Sequence, residues 1–294
     1  MEDDDSKGSL SPAQLFPFFR MPSMRTVDAD TVIEPVRSTS ESEREAEDGH
    51  EDPQAATQEA QERIRTSITD LTFNASNAAQ GLESLLTLCP SLKALKYQHS
   101  DDHALASGFQ PASFFTSLAT SKTTLESLWL DNLGTHHAFT ASGLNESYDG
   151  YFGSLADFTA LKDLRIRLPN LLDVGYTFEP STPLPEILPS SIERLYVESC
   201  KENSLPMLIS QLQLLLEARK EKFKALKRVD IEGFFHVDDE DLDDSGADGA
   251  SGIRERVIKE RVHEIVQPLR EGCKEVGVQL SLRDRACAQT MVEV

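Results

Sequence analysis

The sequence predicts an α/β solenoid, with a parallel sheet on the concave face and helices on the convex face. Three observations carry this: a short apolar pattern that recurs, helical spacing between its copies, and turn residues ahead of several copies. The pattern places Leu or an equivalent at positions 1, 4 and 6. Its clear copies are Ile68, Leu71, Phe73; Leu92, Leu95, Tyr97; Leu125, Leu128, Leu130; Leu161, Leu164, Ile166; Ile192, Leu195, Val197; and Leu226, Val229, Ile231. They start 24, 33, 36, 31 and 34 residues apart. Weaker copies sit at Met24 and Val27 and at Leu280 and Leu282.

Positions 4 and 6 share one face of an extended segment, because side chains alternate along a strand, and position 1 comes in from the preceding turn. Between the strands stand apolar residues at helical spacing: Leu82, Leu85, Leu86; Phe114, Phe115, Leu118; Phe152, Leu155, Phe158; and Leu208, Leu212, Leu215. Pro-Ser turns at Pro22-Ser23, Pro90-Ser91 and Pro189-Ser190 stop a helix and start the next extended run. One strand and one helix cannot bury their apolar faces alone, so successive units must stack. Strands sit about 4.8 Å apart and helices need roughly twice that, so the helical side fans outward into a horseshoe. A doubly wound α/β domain also alternates strand and helix, but it does not call for a fixed 1-4-6 pattern.

The chain has 294 residues, 39% of them hydrophobic, which is enough for a sizeable core. The net charge of −21 is local. Glu2 to Asp5, Glu41 to Glu62 and Asp238 to Asp248 hold 4, 9 and 7 of the 50 acidic residues. Without them the charges nearly cancel, and no concentrated cationic surface is read, so nucleic acid is not an expected partner. The expected organisation is an acidic disordered N-terminus over 1–8 and a solenoid over 9–284. Insertions at 37–61 and 238–252 interrupt the solenoid, and a flexible tail follows at 285–294. The two insertions lack the large apolar residues that would offset their ordering entropy. Ser38, Ser40 and Ser42 make the first either an acidic interaction or phosphorylation segment or a solubilising loop.

Cys89, Cys200, Cys273 and Cys287 form no C-x-x-C pair and read as reduced thiols, which places the chain in cytoplasm or nucleus. No secretory signal and no membrane span is read, so the sequons at Asn74 and Asn145 are taken as chance. Asp241, Asp243, Ser245 and Gly246 resemble half an EF-hand loop, but Gly252 falls where a bidentate Glu is needed. His99 and His103 with Asp101 and Asp102 are read as a solvated loop, as are His136 and His137. No hydrolase elbow, phosphate loop, dinucleotide fingerprint or zinc-peptidase motif occurs. No enzyme, cofactor or metal is expected; a loop-built active site is the rival reading.

Phe18-Phe19-Arg20-Met21-Pro22-Ser23-Met24-Arg25, Leu86-Thr87-Leu88-Cys89-Pro90-Ser91-Leu92-Lys93-Ala94-Leu95 and Leu188-Pro189-Ser190-Ser191-Ile192-Glu193-Arg194-Leu195 carry a resemblance. With them the stretch from about Ser9 to Asp284 resembles the leucine-rich-repeat region of fungal F-box proteins. In that family an F-box joins a ubiquitin ligase and the repeats choose a substrate, so the resemblance implies an adaptor or substrate-recognition part. No F-box is recognised: Leu184-Pro185-Glu186-Ile187-Leu188 runs straight into a repeat strand. Position 9, Asn or Cys in typical repeats, is Ser76, Ser100, Leu133, Pro169, Cys200 and Phe234 here.

If positions 1, 4 and 6 face inward, positions 3, 5 and 7 face the open concave surface. The expected partner-binding residues there are Lys96, Trp129, Asp131, Arg165, Arg167, Arg194, Tyr196 and Arg228, because Trp, Tyr and Arg are the usual interface anchors. The expected partner is a protein whose acidic or phosphorylated segment meets the arginines. The competing readings are that the arginines pair with Asp131, Asp163 and Glu198, or that a scaffold binds basic partners through its acidic insertions.

Overall fold

The computed structural model describes residues 9–35, 66–100, 109–132, 150–174, 179–236, 258–285 and 291–293. The stretches expected at 1–8, 37–61 and 238–252 lie outside these, as do His103, His136 and His137. The chain forms two compact units. The first comprises the described residues up to 132, with 150–153 and 157–161; the second comprises 154–156 and the described residues from 162 onward.

In the first unit α1 (Pro12–Phe19) opens with Pro12 in its first turn, and the Ser11 N–H donates to Gln14 Oε1 at 2.7 Å. The strands β1 (Thr26–Asp30), β2 (Ile33–Glu34), β3 (Asp70–Ala78), β4 (Ala94–His99) and β5 (Ser127–Asn132) follow, with α2 (Glu83–Leu86) and α3 (Pro111–Ser117) between them. All pairings are parallel, and the register sets Val27 beside Leu71, Leu71 beside Leu95 and Leu95 beside Leu128. Position 4 therefore stacks on position 4, as the pattern requires. The position-1 amides of Leu92 and Leu125 bond back into their turns, Leu92 N to Cys89 O at 3.1 Å and Leu125 N to Ser121 O at 2.9 Å. Tyr97, at position 6, turns a polar tip into this core, but its hydroxyl accepts from Ala78 N and donates to Ser76 O at 2.9 and 3.0 Å.

In the second unit β6 (Asp163–Arg167), β7 (Arg194–Lys201), β8 (Arg228–Phe234) and β9 (Gln279–Asp284) run parallel, and Leu164, Leu195, Val229 and Leu280 stand side by side. Two short helices, α4 (Leu168–Leu171) and α5 (Leu184–Ile187), precede the long α6 (Leu205–Glu217) and α7 (Glu260–Val276). The apolar seam of α7 is Val262, Val266, Leu269 and Cys273, spaced for one helical face. It ends at Gly277 (φ 69°), where Val278 N reaches Cys273 O at 2.9 Å, a left-handed cap that suits glycine. Every residue at positions 1, 4 and 6 of the six clear copies is 0–1% exposed. Burying each such side chain contributes roughly 1.5–3 kcal/mol.

In the fold the structure departs from the sequence reading at Phe152 to Phe158, at His99 and in the expected tail. Phe152 to Phe158 forms turns instead of a helix, because Gly153 takes φ 126° and a Cβ there would lie 2.7 Å from the Phe115 ring. His99 is not in a solvated loop: it closes β4 fully buried, its Nδ1 2.9 Å from the Tyr97 hydroxyl. In the first repeat position 9 is Ser76, and the residue after it, buried Asn77, donates its side-chain amide to Ser100 O at 3.0 Å. Within the expected tail, β10 (Met291–Glu293) pairs antiparallel with β9.

Candidate protein-binding face

Position 8 carries a bulge in β3 and in β7. Ala75 and Ser199 both take left-handed backbone (φ 43° and 56°) beside a register shift, and the next residues, Ser76 and Cys200, turn into the core. The side chains ahead of each bulge are thus held in rows on the face opposite the leucines.

In the first unit, position 5 reads Thr72, Lys96 and Trp129 on neighbouring strands. All three are half-buried, while Leu128 and Leu130 on either side of Trp129 are 1% and 0% exposed. Lys96 Nζ lies 4.3 Å from the Trp129 ring centroid, a cation–π contact worth about 0.5–1 kcal/mol where solvent reaches it. Asp131, expected on the surface, is 2% exposed.

In the second unit the same rows carry interlaced charges. Arg165 stacks on Tyr196, its guanidinium carbon 4.4 Å from the ring centroid, and pairs with the carboxylate of Glu198, which is fully buried. The Tyr196 hydroxyl donates to Glu232 Oε2 at 2.5 Å, and Arg283 and Arg285 stand 3.7 and 3.8 Å from the same carboxylate. Arg194 donates to Asp163 at 2.9 Å, and Arg228 donates two bonds of 2.7 Å to Asp230. Arg167 is 1% exposed, and its Nε donates to Ser199 Oγ at 3.1 Å. Of the expected cations here, Arg194 is the most open, with 63% of its side chain exposed against 28% for Arg165 and Arg228.

Burial, then the bond to Glu232, pushes the Tyr196 phenol above its usual value, so it stays a neutral donor through the physiological range. The bond to Asp163 holds Arg194 firmly charged. Burial pushes the Cys89 and Cys273 thiols up to about 11 and the Cys200 thiol higher still, which makes all three poor nucleophiles. Among the described residues no group of three or more His, Cys, Asp and Glu could hold a metal ion, and no helix is long and apolar enough to cross a membrane.

Sequence reasoning chose the cations and aromatics as partner-binding residues and gave pairing of the arginines with Asp131, Asp163 and Glu198 as the competing reading; in the structure Arg194 pairs with Asp163 and Arg165 with Glu198. Glu198, Asp230 and Glu232 occupy the same rows and were legible from the same alternation. Arg283 was available too, one residue after Leu282 in the weak last copy. Arg285 offered no such signal.

In comparison with known proteins, residues 54–251 fit the profile of the leucine-rich repeat domain family. No curated protein and no solved structure matches the chain.

Proposed function

Because the chain belongs to the leucine-rich repeat domain family, we propose that it is a non-catalytic protein-binding module that presents the strand face opposite its core leucines. One observation carries the reading: regular 1-4-6 burial leaves rows of aromatic and charged side chains on the other face, where no core needs them. The proposed contacts are Lys96 and Trp129 in the first unit and Arg165, Arg194, Tyr196 and Arg228 in the second, with Asp131 and Arg167 lying beneath them.

The partner is a protein with an acidic or phosphorylated segment that competes with Asp163 for Arg194, plus an apolar group for the aromatics. The module serves as an adaptor or substrate-recognition part resembling those of F-box proteins, in cytoplasm or nucleus. Arg165 cannot serve as a clean test, because reversing its charge would set two carboxylates together at buried Glu198. The better variant is Trp129→Ala with Arg194→Ala. A protein captured from native extract by the tagged wild type and lost with this variant, at unchanged melting temperature, supports the reading. Equal recoveries overturn it.

A further inference from the structure

The first strand of the first unit points to a second way of binding. β1 has β3 on one side, and among the described residues no strand lies along its other side. Arg25 O accepts from Asp70 N at 3.1 Å, and Thr31 N donates to Asn74 O at 2.9 Å, so the odd-numbered residues point their main-chain groups toward β3. Alternation then directs the N–H and C=O groups of Thr26, Asp28 and Asp30 outward, to the open edge. Their side chains are exposed as well, while Val27 and Ala29 are buried. Asn74 Nδ2 holds both carboxylates in place, 3.2 Å from Asp28 and 2.9 Å from Asp30. The cation just ahead, Arg25, is turned to the Ser67 carbonyl at 2.8 Å. At the end of the second unit, by contrast, β9 is paired by β10 from the chain's own C-terminal stretch.

We propose that β1 accepts an extended basic segment of another protein as an added strand. Main-chain bonds to Thr26, Asp28 and Asp30 would supply the pairing, and Lys or Arg at every second position would face the two carboxylates. Charge decides the occupant. A second copy of this chain would bring the same two aspartates and a net charge of −21, and like charges across a strand pair are destabilising. The chain's own Glu2, Asp3, Asp4 and Asp5 carry the same wrong sign. A basic strand gains where all of these lose.

The test uses the full chain and a labelled peptide, Thr-Lys-Val-Lys-Val-Lys-Thr, followed by fluorescence anisotropy. Its counterpart is the same peptide N-methylated at both valines and at the central lysine, which keeps the charge and blocks main-chain pairing in either strand direction. The plain peptide is expected to bind, and the methylated one to bind at least about tenfold more weakly. Asp28→Lys with Asp30→Lys should weaken the plain peptide by a similar factor. Where that variant does not fold, Thr26→Pro, which removes one outward N–H, should still weaken it. Absence of binding, equal binding of both peptides, or indifference to these substitutions overturns the proposal. So does a peptide-free dimer that the double variant abolishes, which would assign the edge to a second copy.

Discussion

The two units have the same kind of core and carry different opposite faces. Leu71, Leu95 and Leu128 in the first and Leu164, Leu195 and Val229 in the second are interchangeable in register and burial. Across the strand, the first unit has Thr72, Lys96 and Trp129, with the Lys96 ammonium over the Trp129 ring. The second has an ion ladder that reaches down to buried Glu198, Glu232 and Arg167. The repeat thus constrains only the residues that must pack. The other face is free to be a lightly held surface in one place and an internally neutralised lattice in another. An arginine held in such a lattice gives a partner geometry and specificity more than raw attraction, since its charge is already compensated.

The comparison breaks first in the core. Leu195→Ala or Leu128→Ala should each cost about 2–5 kcal/mol by urea denaturation, and similar losses in both units would support their equivalence. Next, the faces should diverge. Arg165→Ala leaves Glu198 buried without its cation and should cost about 3–5 kcal/mol, whereas Lys96→Ala should cost no more than about 1 kcal/mol. Replacing Arg165 and Glu198 together with leucine should recover most of the loss. Equal costs at Arg165 and Lys96 would mean that the ladder is no more than a solvated surface.

A smaller effect is confined to high pH. The Tyr196 phenol titrates higher in the folded chain than its usual value near 10. Above that value the unfolded chain loses a proton that the folded chain keeps, so this stability is intact below pH ~10 and is lost as pH rises toward the folded value. The alkaline fall in melting temperature should be shallower in Tyr196→Phe. The buried thiols act with the same sign, and peptide-resolved alkylation should find Cys89, Cys200 and Cys273 unreactive until the chain unfolds. The smallest effect belongs to Lys93, paired with Glu126 at 3.3 Å and 58% exposed: Lys93→Ala should change stability by under about 0.5 kcal/mol.

Much of the fold was legible because burial with a fixed period leaves a fixed pattern. Six copies of 1-4-6 give both register and face, and even the weak end copies Val27 and Leu280 fall on the same row. What was not legible depends on single contacts. Nothing in Phe152, Leu155 and Phe158 discloses that Gly153 must lie against Phe115. The depth at which Arg167 and Asp131 sit, 1% and 2% exposed, is set by neighbours that one strand's pattern does not contain. The site's cations were visible as residue types. Pairing of the arginines with Asp163 and Glu198 was open to the sequence as the competing reading, whereas the bond from Tyr196 to Glu232 depends on which strands stand side by side.

The most direct test of the open face as the working surface is site-specific photo-crosslinking in native extract. A crosslinking residue would replace Trp129 in one version and Leu214, the exposed residue on α6 (39%), in another. A discrete adduct from position 129 and none from position 214 is the predicted result. Adducts from position 214 alone, or the same adducts from both, would contradict it.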